Sequence, residues 1–104
     1  MTIQFNTDNN VTGKESHTAP LIAMISEELE RYSNRITRIE AHLADENADK
    51  DTDNDKRCTL EARLEGLKPV AVTNHANTHE LAVEGAIEKL KTVLDKTFAK
   101  LQGY

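Results

Sequence analysis

Nine consecutive residues, 57–65, alternate between two chemistries without a break. Cys58, Leu60, Ala62 and Leu64 fall on one side, and Arg57, Thr59, Glu61, Arg63 and Glu65 on the other. Successive side chains of a β-strand point to opposite faces of its sheet. The pattern therefore predicts a strand with one dry face and one wet face. A sheet built on such a strand needs an apolar cover on one side only, and the rest of the chain supplies it.

Residues 36–44 alternate in the same way, with Thr37, Ile39, Ala41 and Leu43 opposite Arg38, Glu40 and His42. Residues 2–6 place Ile3 and Phe5 on one side, and residues 70–73 form a short β-branched run. Two segments have helical period instead. Leu21, Ile22, Ile25, Leu29 and Tyr32 make one stripe, in a helix starting between residues 16 and 19, with Pro20 in its first turn and Ser33-Asn34 as its end. Val83, Ile87, Leu90, Leu94, Phe98 and Leu101 make a longer stripe, with Thr78 or Asn77 as cap and Gly103 as stop. Between the second and third strands, residues 45–55 read DENADKDTDND, which offers a core nothing and predicts a connecting loop. The expected fold is α+β, in the order β-α-β-β-β-α: a four-stranded sheet with both helices packed on one face. It forms a single domain over residues 1–104, without internal repeat.

Several function classes fall away on composition. No apolar run approaches the roughly 20 residues of a membrane span, and the first residues, MTIQFNTDNN, lack the basic and apolar regions of a secretory signal. One cysteine, Cys58, leaves no internal disulfide and no cysteine zinc site. The expected compartment is the cytoplasm. The aspartates Asp49, Asp51, Asp53 and Asp55 imitate the start of a calcium loop, but Asn54 stands where glycine is needed and Leu60 where glutamate is needed. His75 and His79 straddle a strand–helix junction with no third ligand nearby, so no metal and no cofactor is expected. Nothing pairs a nucleophile with a base, and no glycine-rich phosphate loop is present, so the chain is not expected to be an enzyme or to take a small-molecule substrate.

The net charge of −5 argues against indiscriminate nucleic-acid binding, but its distribution is uneven. Residues 89–104 carry four lysines against one acid. Lys89, Lys96 and Lys100 are seven and four residues apart and share one helical face, with Lys91 beside it. A second basic group, Arg31, Arg35 and Arg38, spans the end of the first helix and the start of the next strand, beside Glu27, Glu28 and Glu30. With four aromatic residues in all, RNA contacts are expected to go to phosphate and shape rather than to stacked bases.

Two passages carry a resemblance. EELERYSNRITRIEAHL, residues 27–43, is similar to the helix-to-strand passage of the ribosome hibernation-promoting factor and ribosome-associated translation-inhibitor family. THELAVEGAIEKLKTVLDK, residues 78–96, is similar to that family's last helix in its Ala82-Val83 and Lys89-Leu90 pairs and in Leu94 and Lys96. The resemblance runs over almost the whole chain, in the short form without the appended dimerisation domain. It implies a fold related to double-stranded-RNA-binding domains. It also implies binding to the small ribosomal subunit, in the channel of messenger and transfer RNA, with hibernation of idle ribosomes under stress. The contacts it implies are Lys and Arg side chains on ribosomal RNA phosphates, here Lys89, Lys91, Lys96 and Lys100 with Arg31, Arg35 and Arg38. Thr92-Val93 replaces an Arg-Gln pair common in the family and Glu80 replaces an aromatic. Together with the acidic first helix, these departures predict weaker ribosome affinity. The alternative is a protein-interaction module on the same fold that has lost ribosome binding, using the open sheet face.

Overall fold

The computed structural model describes residues 1–8, 15–45 and 55–101. The elements are β1 (Thr2–Thr7), α1 (Glu15–Glu28), a 3-10 turn (Glu30–Tyr32), β2 (Ile36–Asp45), β3 (Lys56–Leu64), β4 (Val70–Ala76) and α2 (His79–Leu101). The strands lie in the order β1-β2-β3-β4. β1 runs parallel to β2, with α1 in the connection, and the other two pairs are antiparallel. Both helices cover one face, as the alternation requires. Ile39, Ala41, Leu43, Cys58, Leu60, Ala62 and Leu64 meet Leu21, Ile25 and Leu29 of the first helical stripe and Val83, Ile87, Leu90 and Leu94 of the second. Burial raises the Cys58 thiol to about 12, so it is a packing group and not a nucleophile.

Several boundaries differ from the sequence expectation, each for a local reason. α1 begins at Glu15, which leaves Pro20 inside the helix rather than in its first turn. The helix ends at Glu28 and tightens into the 3-10 turn, where the Tyr32 N–H donates to Leu29 O at 3.0 Å and the Arg35 N–H to Tyr32 O at 2.9 Å. The tighter winding still buries Leu29 and Tyr32. In β2 the register shifts by one residue between Ile36 and Arg38, so Ile36 is buried and Thr37 is exposed, its hydroxyl donating to Arg63 O at 3.0 Å. An extra residue in one strand of a pair reverses the facing of everything before it, which strict alternation does not show. β4 continues past Thr73 to Ala76. Thr78, not Asn77, caps α2, accepting from the Leu81 N–H at 3.1 Å. Leu101 ends the stripe 54% exposed, because α2 has there run past the core. Gly103 lies outside the described residues.

The extension of β4 matters at Asn74. Its amide lies under α2 and donates to Ala82 O at 3.2 Å. Gly85 stands directly over it, and a Cβ at Gly85 would run into the Asn74 amide. Alanine in place of a mid-helix glycine ordinarily stabilises by about 1 kcal/mol, while loss of the Asn74 hydrogen bond costs about the same. Gly85→Ala is therefore expected to be near neutral in the native background. In an Asn74→Ala background it should stabilise by about 1 kcal/mol, read as the shift of a urea midpoint. An equal gain in both backgrounds would remove Asn74 as the obstruction.

The ends of the expected acidic loop are not solvated. Asp45 closes β2, and Asp55 is 4% exposed at the entry to β3. Lys56 Nζ sits between them, 2.8 Å from Asp55 Oδ1 and 3.4 Å from Asp45 Oδ2. A carboxylate enters such a place only with a partner, and alternation puts Lys56 on the inner face opposite Ala76. The hydrogen bond to Asp55 raises the Lys56 pKa above its ordinary value, with Asp45 adding to it. Asp55 is thus committed to an ion pair, and the other candidate calcium ligands, Asp49, Asp51 and Asp53, lie outside the described residues.

Candidate nucleic-acid interface

α2 presents two flanks of opposite charge beside its buried stripe. Lys89, Lys96 and Lys100 are all exposed and recur at seven and four residues, so they form a row about 16 Å long at 1.5 Å per residue. Lys89 lies over β4, its Nζ donating to Thr73 O at 2.9 Å. Lys96 and Lys100 have no ion-pair partner among the described residues. The flank facing α1 is acidic. Glu80, Glu84 and Glu88 line a groove there with Glu28, Met24 and Ile87. Separation of charge across one helix accounts for a basic row on a chain of net charge −5.

Lys91 belongs to the acidic flank, not to the row. Its Nζ lies 2.6 Å from Glu28 Oε1 and 3.6 Å from Glu88 Oε1. The Glu28 hydrogen bond raises its pKa, so it remains a cation but one already neutralised. The second basic group is split by the fold, with Arg31 and Arg35 against the last turns of α2 and Arg38 apart from them. Arg31 reaches across to α2, 3.3 Å from Asp95 Oδ2, with its guanidinium over and hydrogen-bonded to Tyr32. Tyr32 itself donates to Asp95 Oδ1 at 2.7 Å, and burial with that bond lifts its phenol to about 12. Arg35 also reaches α2, stacking over the Phe98 ring 4.8 Å from its centre, beside the Tyr32 ring. Arg38 is on the far face of the sheet, 3.0 Å from Glu40, which also meets Arg63. The bulge in β2 lies between Arg35 and Arg38.

The end of α2 opens into a cleft of about 420 Å³ lined by Arg35, Glu65, Gly66, Leu67, Phe98 and Leu101. Gly66 makes the β3–β4 turn at φ 73°, a conformation that favours glycine. Lys68 is exposed in that turn, next in sequence to Leu67 of the cleft. The sequence reading passed over it because a lone lysine in a turn has no periodic partner. Its only signal is the Gly66-to-Pro69 turn that returns the chain beside the end of α2. His75 and His79 do not converge. His75 is on the open side of β4, and His79 pairs instead with His17 of α1. Among the described residues, no group of three His, Cys, Asp or Glu is arranged to hold a metal ion, and no helix is long and apolar enough to cross a membrane.

The family model described as sigma 54 modulation protein / S30EA ribosomal protein matches residues 9–102. The chain belongs to this family. The S30EA family is the one the two quoted passages resemble, so that reading of the sequence holds. Two solved structures share the fold. A ribosomal subunit interface protein from Coxiella burnetii is 19% identical with a TM-score of 0.71, over 95% of this chain and 99% of that one. The N-terminal domain of Thermus thermophilus Protein Y is 15% identical with a TM-score of 0.73, over 93% of this chain and 99% of that one. No curated protein matches the chain in sequence. S30EA membership makes this a ribosome-associated chain of the translation-regulating kind.

Proposed function

We propose that the protein occupies the messenger and transfer RNA channel of the small ribosomal subunit and holds idle ribosomes in hibernation under stress. It acts by occupancy in the cytoplasm, without catalysis or cofactor. The observation that carries this reading is the exposed basic flank of α2 on a chain of the S30EA family. Lys89, Lys96 and Lys100 supply the row of phosphate contacts, and Arg35 and Lys68 add to them from the cleft and its turn. Arg31 and Lys91 join the interface only by exchanging Asp95 and Glu28 for phosphate. Arg38 lies on the opposite face of the sheet and would meet a different wall of the channel.

Co-sedimentation with purified bacterial ribosomes tests the proposal. The protein is expected with the small subunit at low salt and, as a smaller fraction, at physiological salt, because phosphate contacts exchange with counterions. Protein that stays at the top of the gradient at both salt concentrations would overturn it. That result would favour the protein-interaction module, whose surface would be the open sheet face around Glu40, His42 and Glu61.

A further inference from the structure

The N-terminal ends of the two helices meet in a contact that phosphate binding does not use. His17 lies in the first turn of α1, and His79 is the first residue of α2. His17 Nε2 is 3.0 Å from His79 Nδ1. The rings stand edge to face, with centres 5.2 Å apart and planes at 70°. The remaining nitrogen, His79 Nε2, is buried without a hydrogen-bond partner among the described residues. In α1, Leu21 is the first residue among residues 17–21 to be fully buried, and His17 before it is half-buried. The ion pairs to α2, Glu28–Lys91 and Arg31–Asp95, lie at the other end.

A hydrogen bond between two imidazoles needs one donor and one acceptor. It forms when both rings are neutral, and it survives one added proton, because the charged ring donates to the neutral one. It cannot survive a second, because two imidazoliums offer only donors and repel. We propose that the His17–His79 pair is a proton-operated latch between α1 and α2, closed at neutral pH and released in acid when both rings are charged. Release frees the first turns of α1 while the rest of the fold persists.

The surroundings decide when the second proton arrives. Burial pushes His79 below the ordinary value of 6.5, with His17 and Lys56 acting the same way and Asp45 and Asp55 opposing them. The N-terminus of α2, where His79 sits, also disfavours positive charge. The closed latch therefore binds the second proton less readily than the open one. Its stabilisation is complete above pH 6.5 and is lost as the pH falls through the lowered value.

His79→Gln supplies the control, since glutamine can bond to His17 at any pH and does not titrate. The measurement is amide hydrogen exchange of residues 21–23 in both proteins from pH 7.5 to 4.5, in EDTA, with the histidine rings followed by NMR. The wild-type rate relative to that of His79→Gln is expected to rise by up to about tenfold per unit as the pH falls below 6.5. It should level off once the closed state itself takes up the proton. A ratio that stays flat across the range, or His79 titrating at its ordinary value, would overturn the latch. Ribosome binding at neutral pH does not enter the readout, so failure here leaves the proposed function standing, and the reverse.

Discussion

Replacing Lys89, Lys96 and Lys100 together by glutamate is expected to abolish co-sedimentation with the ribosome at every salt concentration tested. The three residues form an exposed row on one flank of α2, and the core stripe of that helix does not include them. The fold should therefore survive, as circular dichroism would show. The milder change of the same three residues to glutamine is more informative. Each phosphate contact contributes about 0.7–0.9 to the slope of log affinity against log salt. Losing three should flatten that slope by about 2 to 3. Unchanged binding by the glutamate variant would remove this flank from the mechanism. Arg38→Gln gives the comparison: its charge is already opposed by Glu40 on the far face of the sheet, so its effect should be the smaller.

Leu90→Ala is expected to cost about 2–5 kcal/mol, a large fraction of a whole-domain stability of about 5–15 kcal/mol. Leu90 is fully buried where α2 crosses the sheet. Leu101→Ala, at the end of the same apolar stripe, should change the denaturation midpoint little, because that side chain is 54% exposed. Both residues have the same chemistry and fit the same helical period. Equal losses in the two variants would mean that α2 stays packed to its last turn.

The arrangement of the fold was legible because each element carries its facing in local chemistry. Alternation over residues 57–65 needs no knowledge of distant residues, and neither does the 3–4 stripe of residues 83–98. The lysine row was legible for the same reason, since seven and four are helical spacings wherever the helix sits. The Arg31, Arg35 and Arg38 group was legible only in part, since Arg31 and Arg35 both reach α2 and Arg38 does not. Closeness in sequence implies a shared face only inside one regular element, and these residues run from a 3-10 turn across a bulge.

By itself, then, the sequence determined the element order, the dry face of each element and the charge of one helix flank. These follow from backbone periodicity and solvation. Only the tertiary structure decided which charges remain available. Lys91 and Arg31 are cancelled by Glu28 and Asp95, each 63 or 64 residues away along the chain. Asp55 is held by Lys56 at the edge of the core, and His79 is joined to His17, 62 residues away. Pairing falls with distance in space, and the packing of α1 against α2 sets those distances.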